Sequence, residues 1–164
     1  MKITYLSAII ALGLLGAGCT ADYVGTTNQT NVPSVPTQVS NAKKLDLSNK
    51  GLEKIPANVF DQQNLEELDV SNNRLTGSIQ AEIRKLNNLR VLNASNNQMT
   101  GVPAEVGQLQ NLEVLNLSNN QLTGLPNELA NLKKLKTLNL SGNKYSTQDL
   151  EVIRRALPNV NYIL

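Results

Sequence analysis

Apolar residues recur along most of this chain on a fixed beat. From Ala42 onward the segments KKLDLSNKGLEKIP, LEELDVSNNRLTGSI, LRVLNASNNQMTGVP, LEVLNLSNNQLTGLP and LKTLNLSGNKYS align on one another. Their opening positions Ala42, Leu65, Leu89, Leu112 and Leu135 are 23, 24, 23 and 23 residues apart by subtraction. Within each unit a pair such as Leu115 and Leu117 alternates with non-core residues, which predicts a short strand with every second side chain turned inward. Ile55, Ile79, Val102 and Leu125 then lead to the far side of the coil. There Pro56, Pro103 and Pro126 favour extended backbone or the first turn of a short helix. Ile83 with Leu86, Val106 with Leu109, and Leu129 with Leu132 close the core. A unit of this size cannot bury its apolar side alone, so the units must stack, and their strands must form a parallel sheet.

One polar column belongs to the interior. Asn73, Asn97, Asn120 and Asn143 follow the strands at a fixed offset, where a buried amide can satisfy turn backbone groups of its own coil and its neighbour. Lys50 holds this place in the first unit, with Asn49 one residue earlier, so the ladder is expected to be open at that end. The C-terminal end carries its own cover. Ser146 followed by Asp149 predicts a helix start, Leu150, Ile153 and Leu157 share one helical face, and Pro158 stops the helix. Val160 and Ile163 supply a last half strand. At the other end Val39 and the Pro-rich stretch around it are the available cover.

This period with its Leu and Asn pattern resembles the leucine-rich repeat family, and five copies in phase make the resemblance specific. It implies an α/β solenoid: a right-handed coil over residues 42–164, with a short parallel concave sheet, five repeats and a C-terminal capping helix. It also implies that the concave face meets partners. Lys43, Glu66, Arg90, Glu113 and Lys136 form one exposed column with alternating sign. Strands about 4.8 Å apart would let such a column act as a charge ladder that fixes register, as a polar docking strip, or as both. A second column is Lys44, Glu67, Val91, Val114 and Thr137, and a third is Asp46, Asp69, Asn93, Asn116 and Asn139. Val91 and Val114 make an apolar spot that is either a protein contact or an ordinary pair of strand valines. The expected partner-binding set is Lys43, Glu66, Glu67, Arg90, Val91, Asn93, Glu113, Val114, Asn116 and Lys136. Tyr162 is expected to be the one aromatic residue on this face.

The beginning of the chain has a different pattern. Met1 and Lys2 precede an apolar run from Ile3 to Leu15, and Gly16, Ala17 and Gly18 stand immediately before Cys19. Residues 1–18 have the shape of a signal peptide, and the run falls short of the ~20 residues that cross a bilayer. The small residues ending on Cys19 resemble the lipobox of bacterial lipoproteins, in which that Cys carries the lipid after cleavage. The match departs from the usual pattern at Gly16, where a Leu is common and Leu15 lies one step further out. The other reading is ordinary cleavage, for example after Ala21, and a secreted domain. Thr20 rather than Asp follows the Cys, which under the lipoprotein resemblance favours the outer membrane in a Gram-negative cell. Residues 19–41 are rich in Thr, Asn, Gln, Val, Ser and Pro, and read as the lipidated Cys and a disordered tether with a reach of roughly 25 Å.

Composition narrows the chemistry. The chain has no His and one Cys, which removes the usual general base near neutral pH, most zinc geometries and any internal disulfide. No Gly-rich phosphate loop and no nucleophile motif is present, so neither an enzyme nor a cofactor or metal protein is expected. A net charge of +2 gives no case for nucleic acid. The basic residues gather late: Lys133, Lys134, Lys136, Lys144, Arg154 and Arg155 face only Asp149 and Glu151 between residues 133 and 155. The Asn-x-Ser triplets at Asn93, Asn116 and Asn139 are by-products of the repeat. Together these features predict a monomeric, exported, membrane-anchored module that binds a protein, peptide or envelope glycan; the alternative is a structural envelope component with no defined ligand.

Overall fold

The computed structural model describes residues 43–164, and within them the repeat becomes a coil of stacked turns. The expected signal segment 1–18, Cys19 and the tether to residue 41 lie outside the described residues. Strands β1 (Lys44–Asp46), β2 (Glu67–Asp69), β4 (Val91–Asn93), β6 (Val114–Asn116), β7 (Thr137–Asn139) and β8 (Asn161–Ile163) form one parallel sheet in that order. The register aligns Leu45, Leu68, Leu92, Leu115 and Leu138, so one apolar side chain per coil enters the interior at the same height. Two further strands, β3 (Thr76–Gly77) and β5 (Gln98–Met99), pair on the flank that follows the main sheet. Each is only two residues long, too short to show a period of its own in the sequence.

The far side of the coil consists of four short 3-10 helices, Ala57–Asp61, Ala81–Lys85, Ala104–Gln108 and Asn127–Asn131. Pro56, Pro103 and Pro126 sit at the N-cap of three of them, where a fixed φ suits the first turn and no donor is lost. Helix α1 (Thr147–Ala156) replaces the 3-10 turn in the last coil. Ser146 Oγ accepts the Asp149 backbone N–H, and Leu150 and Ile153 are buried beneath the helix. The Asp149 carboxylate accepts the Leu125 backbone N–H at 3.0 Å, tying the cap to the preceding coil.

The core is one continuous aliphatic column from Leu47 to Val160, with Phe60 as its one fully buried ring. Asn73, Asn97, Asn120 and Asn143 line its polar edge. Asn97 Nδ2 donates to the carbonyls of Val70, Ala94 and Ser95, and its Oδ1 accepts the Leu75 N–H. Asn73, Asn120 and Asn143 repeat this pattern one coil apart, and Asn73 Oδ1 takes both the Lys50 and Leu52 N–H groups. Each amide therefore joins two coils.

The residue before each ladder position has a task of its own. Asn49, Asn72, Asn96 and Asn119 have φ between 53° and 56°, and Gly142 has φ of 71°. Asn tolerates the left-handed region better than other side chains, and Gly adopts it without a Cβ penalty. The change from Asn to Gly in this column was the sequence signal for a left-handed turn.

Candidate functional site

The concave face is built by the residues that alternate with the core leucines, so its geometry follows from the register. In the first column Lys43 meets Glu66 at 2.7 Å, Arg90 lies between Glu66 at 3.8 Å and Glu113 at 2.8 Å, and Lys136 reaches Glu113 at 2.5 Å. Five residues from five coils form one chain of alternating charge. Beside it Lys44 pairs with Glu67 at 2.8 Å. Exposed pairs of this kind contribute little individually, up to about 1 kcal/mol, but consecutive pairs disfavour slippage of one coil past another.

Glu113 has two cationic partners and the least exposed side chain of the pairs, 19 % open. Hydrogen bonds from Arg90 and then Lys136 hold its carboxyl down to about 2. The Lys43 hydrogen bond likewise holds Glu66 below the ordinary glutamate range. Folding lowers the Glu113 pKa, so its stabilising effect is complete above the ordinary glutamate value and is lost as pH falls from there through about 2. A carboxyl NMR titration should place the Glu113 midpoint near 2, and Arg90→Gln should move it upward. An unchanged midpoint in that variant would contradict the pairing.

The third column ends the strands. Asp46 and Asp69 each accept the N–H of the serine two residues on, Ser48 and Ser71, at 2.8 Å. Asn93, Asn116 and Asn139 do the same for Ser95, Ser118 and Ser141, and also accept the serine hydroxyl at 2.8 to 2.9 Å. These are Asx turns. The Oδ1 atoms of Asn93 and Asn116 are thus occupied locally, and Asn93 Nδ2 donates to Asp69 at 2.9 Å.

Between these columns Val91, Val114 and Thr137 stand side by side in register, each partly exposed. The hollow next to them, about 230 Å³, is lined by Lys44, Asp46, Glu67, Asp69, Val91 and Asn93 with Leu45 and Leu68 beneath. That is below the roughly 300 to 1,000 Å³ of small-molecule sites, and it is open. This hollow is shaped for a surface contact. Among the described residues no group of His, Cys, Asp and Glu could hold a metal ion.

Tyr162 is not on this face. It pairs with Leu138 in the core-facing position of β8, and its hydroxyl donates to the Leu157 carbonyl at 2.9 Å. Arg154 covers the outer side of the ring, 5.1 Å from its centroid. Burial raises the phenol pKa. Asn161 and Ile163 take the neighbouring outward places instead.

A family model described as a leucine-rich repeat region matches residues 68–155. The chain belongs to the leucine-rich repeat family. Among solved structures of that fold, a leucine-rich repeat protein of Leptospira interrogans is 40 % identical over 68 % of this chain and 28 % of its own, with a TM-score of 0.64. An internalin of Listeria monocytogenes is 27 % identical over 67 % of this chain and 31 % of its own, with a TM-score of 0.58. The ectodomain of the receptor kinase SOBIR1 of Arabidopsis thaliana is 28 % identical over 67 % of this chain and 60 % of its own, with a TM-score of 0.55. This leucine-rich repeat chain spans less than a third of the first two of these proteins. No curated protein sequence matches it.

Proposed function

We propose that this chain is an exported, membrane-anchored binding module that docks a protein or peptide on the concave face of its leucine-rich repeats. The observation that carries the reading is the uncharged strip of Val91, Val114 and Thr137. It lies open beside a charge ladder in which every member already has an ionic partner. A partner can desolvate that strip without leaving a charge unpaired, and none of the three side chains is needed by the buried Asn ladder. The likeness to an internalin and to a receptor ectodomain supports a recognition role. Catalysis has no support in the residues of this face.

Val91→Lys with Val114→Glu replaces the apolar strip by an ion pair like those beside it, and so preserves the fold. Envelope partners captured by the parent should bind this variant at least tenfold more weakly. The convex variant Glu82→Lys should bind like the parent. Equal capture by all three would assign the working surface elsewhere.

The anchor belongs to the same proposal. The small residues before Cys19 support lipidation there, with the outer membrane as destination in a Gram-negative cell. Multiple lipid chains give the stable attachment that one chain does not. Cys19→Ala should move the protein from the membrane to the soluble fraction of the cell. Full retention of the mutant in the membrane would exclude Cys19 as the anchor.

A further inference from the structure

The concave face is polarised along the sheet, from an acidic end to a basic one. At β1 and β2 the hollow holds three carboxylates, Asp46, Glu67 and Asp69, against one ammonium, Lys44. Asp46 and Asp69 are direct neighbours in the parallel register, a like-charge placement that costs stability. Their Asx turns do not require the charge, because Asn93, Asn116 and Asn139 close the same turn with a neutral oxygen. The negative charge at this end is therefore additional to the fold's needs.

The middle of the face, at β4 and β6, is uncharged in both inner columns, with Val91, Val114, Asn93 and Asn116. At the rim that leads from the fourth 3-10 helix into β7 the sign reverses. Lys133, Lys134 and Lys136 border a depression shared with Glu113, Leu135 and Asn159. Glu113 is already engaged by Arg90, while Lys133 and Lys134 donate only to neutral oxygens, the Ala130 carbonyl and Asn111 Oδ1. Cationic capacity is left over at this end.

The dimensions select the occupant. Six strands about 4.8 Å apart, each contributing about 10 Å of length, give a floor of roughly 240 Å². A floor this narrow is a poor seat for a second folded copy, whose stable contact spreads over a broad patch of about 20 to 30 residues on each side. One extended chain laid across the strands fits it. From the hollow at β1–β2, diagonally past Val91 and Val114, to the lysines that precede β7 is about 21 Å, or six to seven extended residues.

Resting on the reading that this face docks a protein or peptide, we propose that the ligand is a single extended peptide segment with a basic side chain over β1–β2 and an acidic one over Lys133 and Lys134, about six residues apart, with small aliphatic residues between them. The two opposite charges fix the direction in which the segment lies. The apolar strip provides the contact area.

The probe is a library of random peptides displayed on phage and selected on the full chain. Two variants report the two ends: Asp46→Asn with Asp69→Asn, which retains the Asx-turn oxygens, and Lys133→Gln with Lys134→Gln. Recovered peptides should carry the basic and acidic pair at that spacing, and each variant should weaken their binding about fivefold. Replacing the basic residue of the peptide by Met should abolish the loss caused by the Asp variant and leave the loss caused by the Lys variant. Peptides that bind through Val91 and Val114 without the charge pair, or with affinities that neither variant changes, would overturn the proposal and leave the docking face standing. Recovery of no peptide would overturn it too. The docking face itself fails only if protein capture is also insensitive to Val91→Lys with Val114→Glu.

Discussion

Gly107→Ala is expected to destabilise the coil by about 3 kcal/mol or more, although it adds one methyl group far from the concave face. Gly107 lies in the third 3-10 helix and is buried against the fourth. A Cβ there would stand 2.2 Å from the Glu128 carbonyl oxygen and 2.6 Å from its carbon. Those are backbone atoms, so no rotamer change relieves the contact, and the two coils would have to separate. The corresponding positions Phe60, Arg84 and Ala130 bear side chains, which marks the third and fourth coils as the place of closest approach. Gly101→Ala is the control, since its Cβ would meet nothing within 4 Å and its φ is not positive. Thermal melts of the two variants should differ by roughly 10 °C. Equal melting temperatures would contradict the contact.

Asn97→Ala should be the other severe change, at about 3 kcal/mol, because it removes four buried hydrogen bonds, two of which join adjacent coils. The Leu75 N–H would lose its partner inside the protein, where water cannot replace it. The adjacent Asn96 needs a different substitution as its control. Asn96 has φ of 54°, so Ala there would cost about 1 to 2 kcal/mol in backbone strain alone. Asn96→Gly keeps the turn and loses only an exposed bond with Asn119, so it should melt within a few degrees of the parent. An Asn97→Ala variant as stable as Asn96→Gly would remove the ladder from the account.

Much of this fold could be read in the sequence because each repeat states the same structure five times. Fixed spacing set the register, and the register put Leu68, Leu92 and Leu115 at one height and Glu66, Arg90 and Glu113 in one exposed column. Features that occur once, or that depend on neighbouring coils, were not legible in this way. Tyr162 occupies a core position because its hydroxyl can reach the Leu157 carbonyl, a contact that alternation of apolar residues does not encode. Gly107 reads as an ordinary helix-weakening residue until the Glu128 backbone is seen against it. The acids and amides of the third column were visible as exposed. Their engagement with Ser48, Ser71 and Ser95 depends on how the strand ends. Of the expected binding residues, the ladder charges pair with one another, Asn93 and Asn116 close turns, and Val91 and Val114 are left with no structural partner to satisfy on the open side.

The central claim is that the uncharged strip of the concave face is the working surface, and site-specific photo-crosslinking in the native cell tests it most directly. A photoreactive amino acid would be placed at Thr137, beside Val114 in register, and separately at Glu82 on the convex side. The account predicts a discrete covalent adduct from position 137, lost in the Val91→Lys with Val114→Glu background, and none from position 82. An adduct from position 82 with none from position 137 would contradict it.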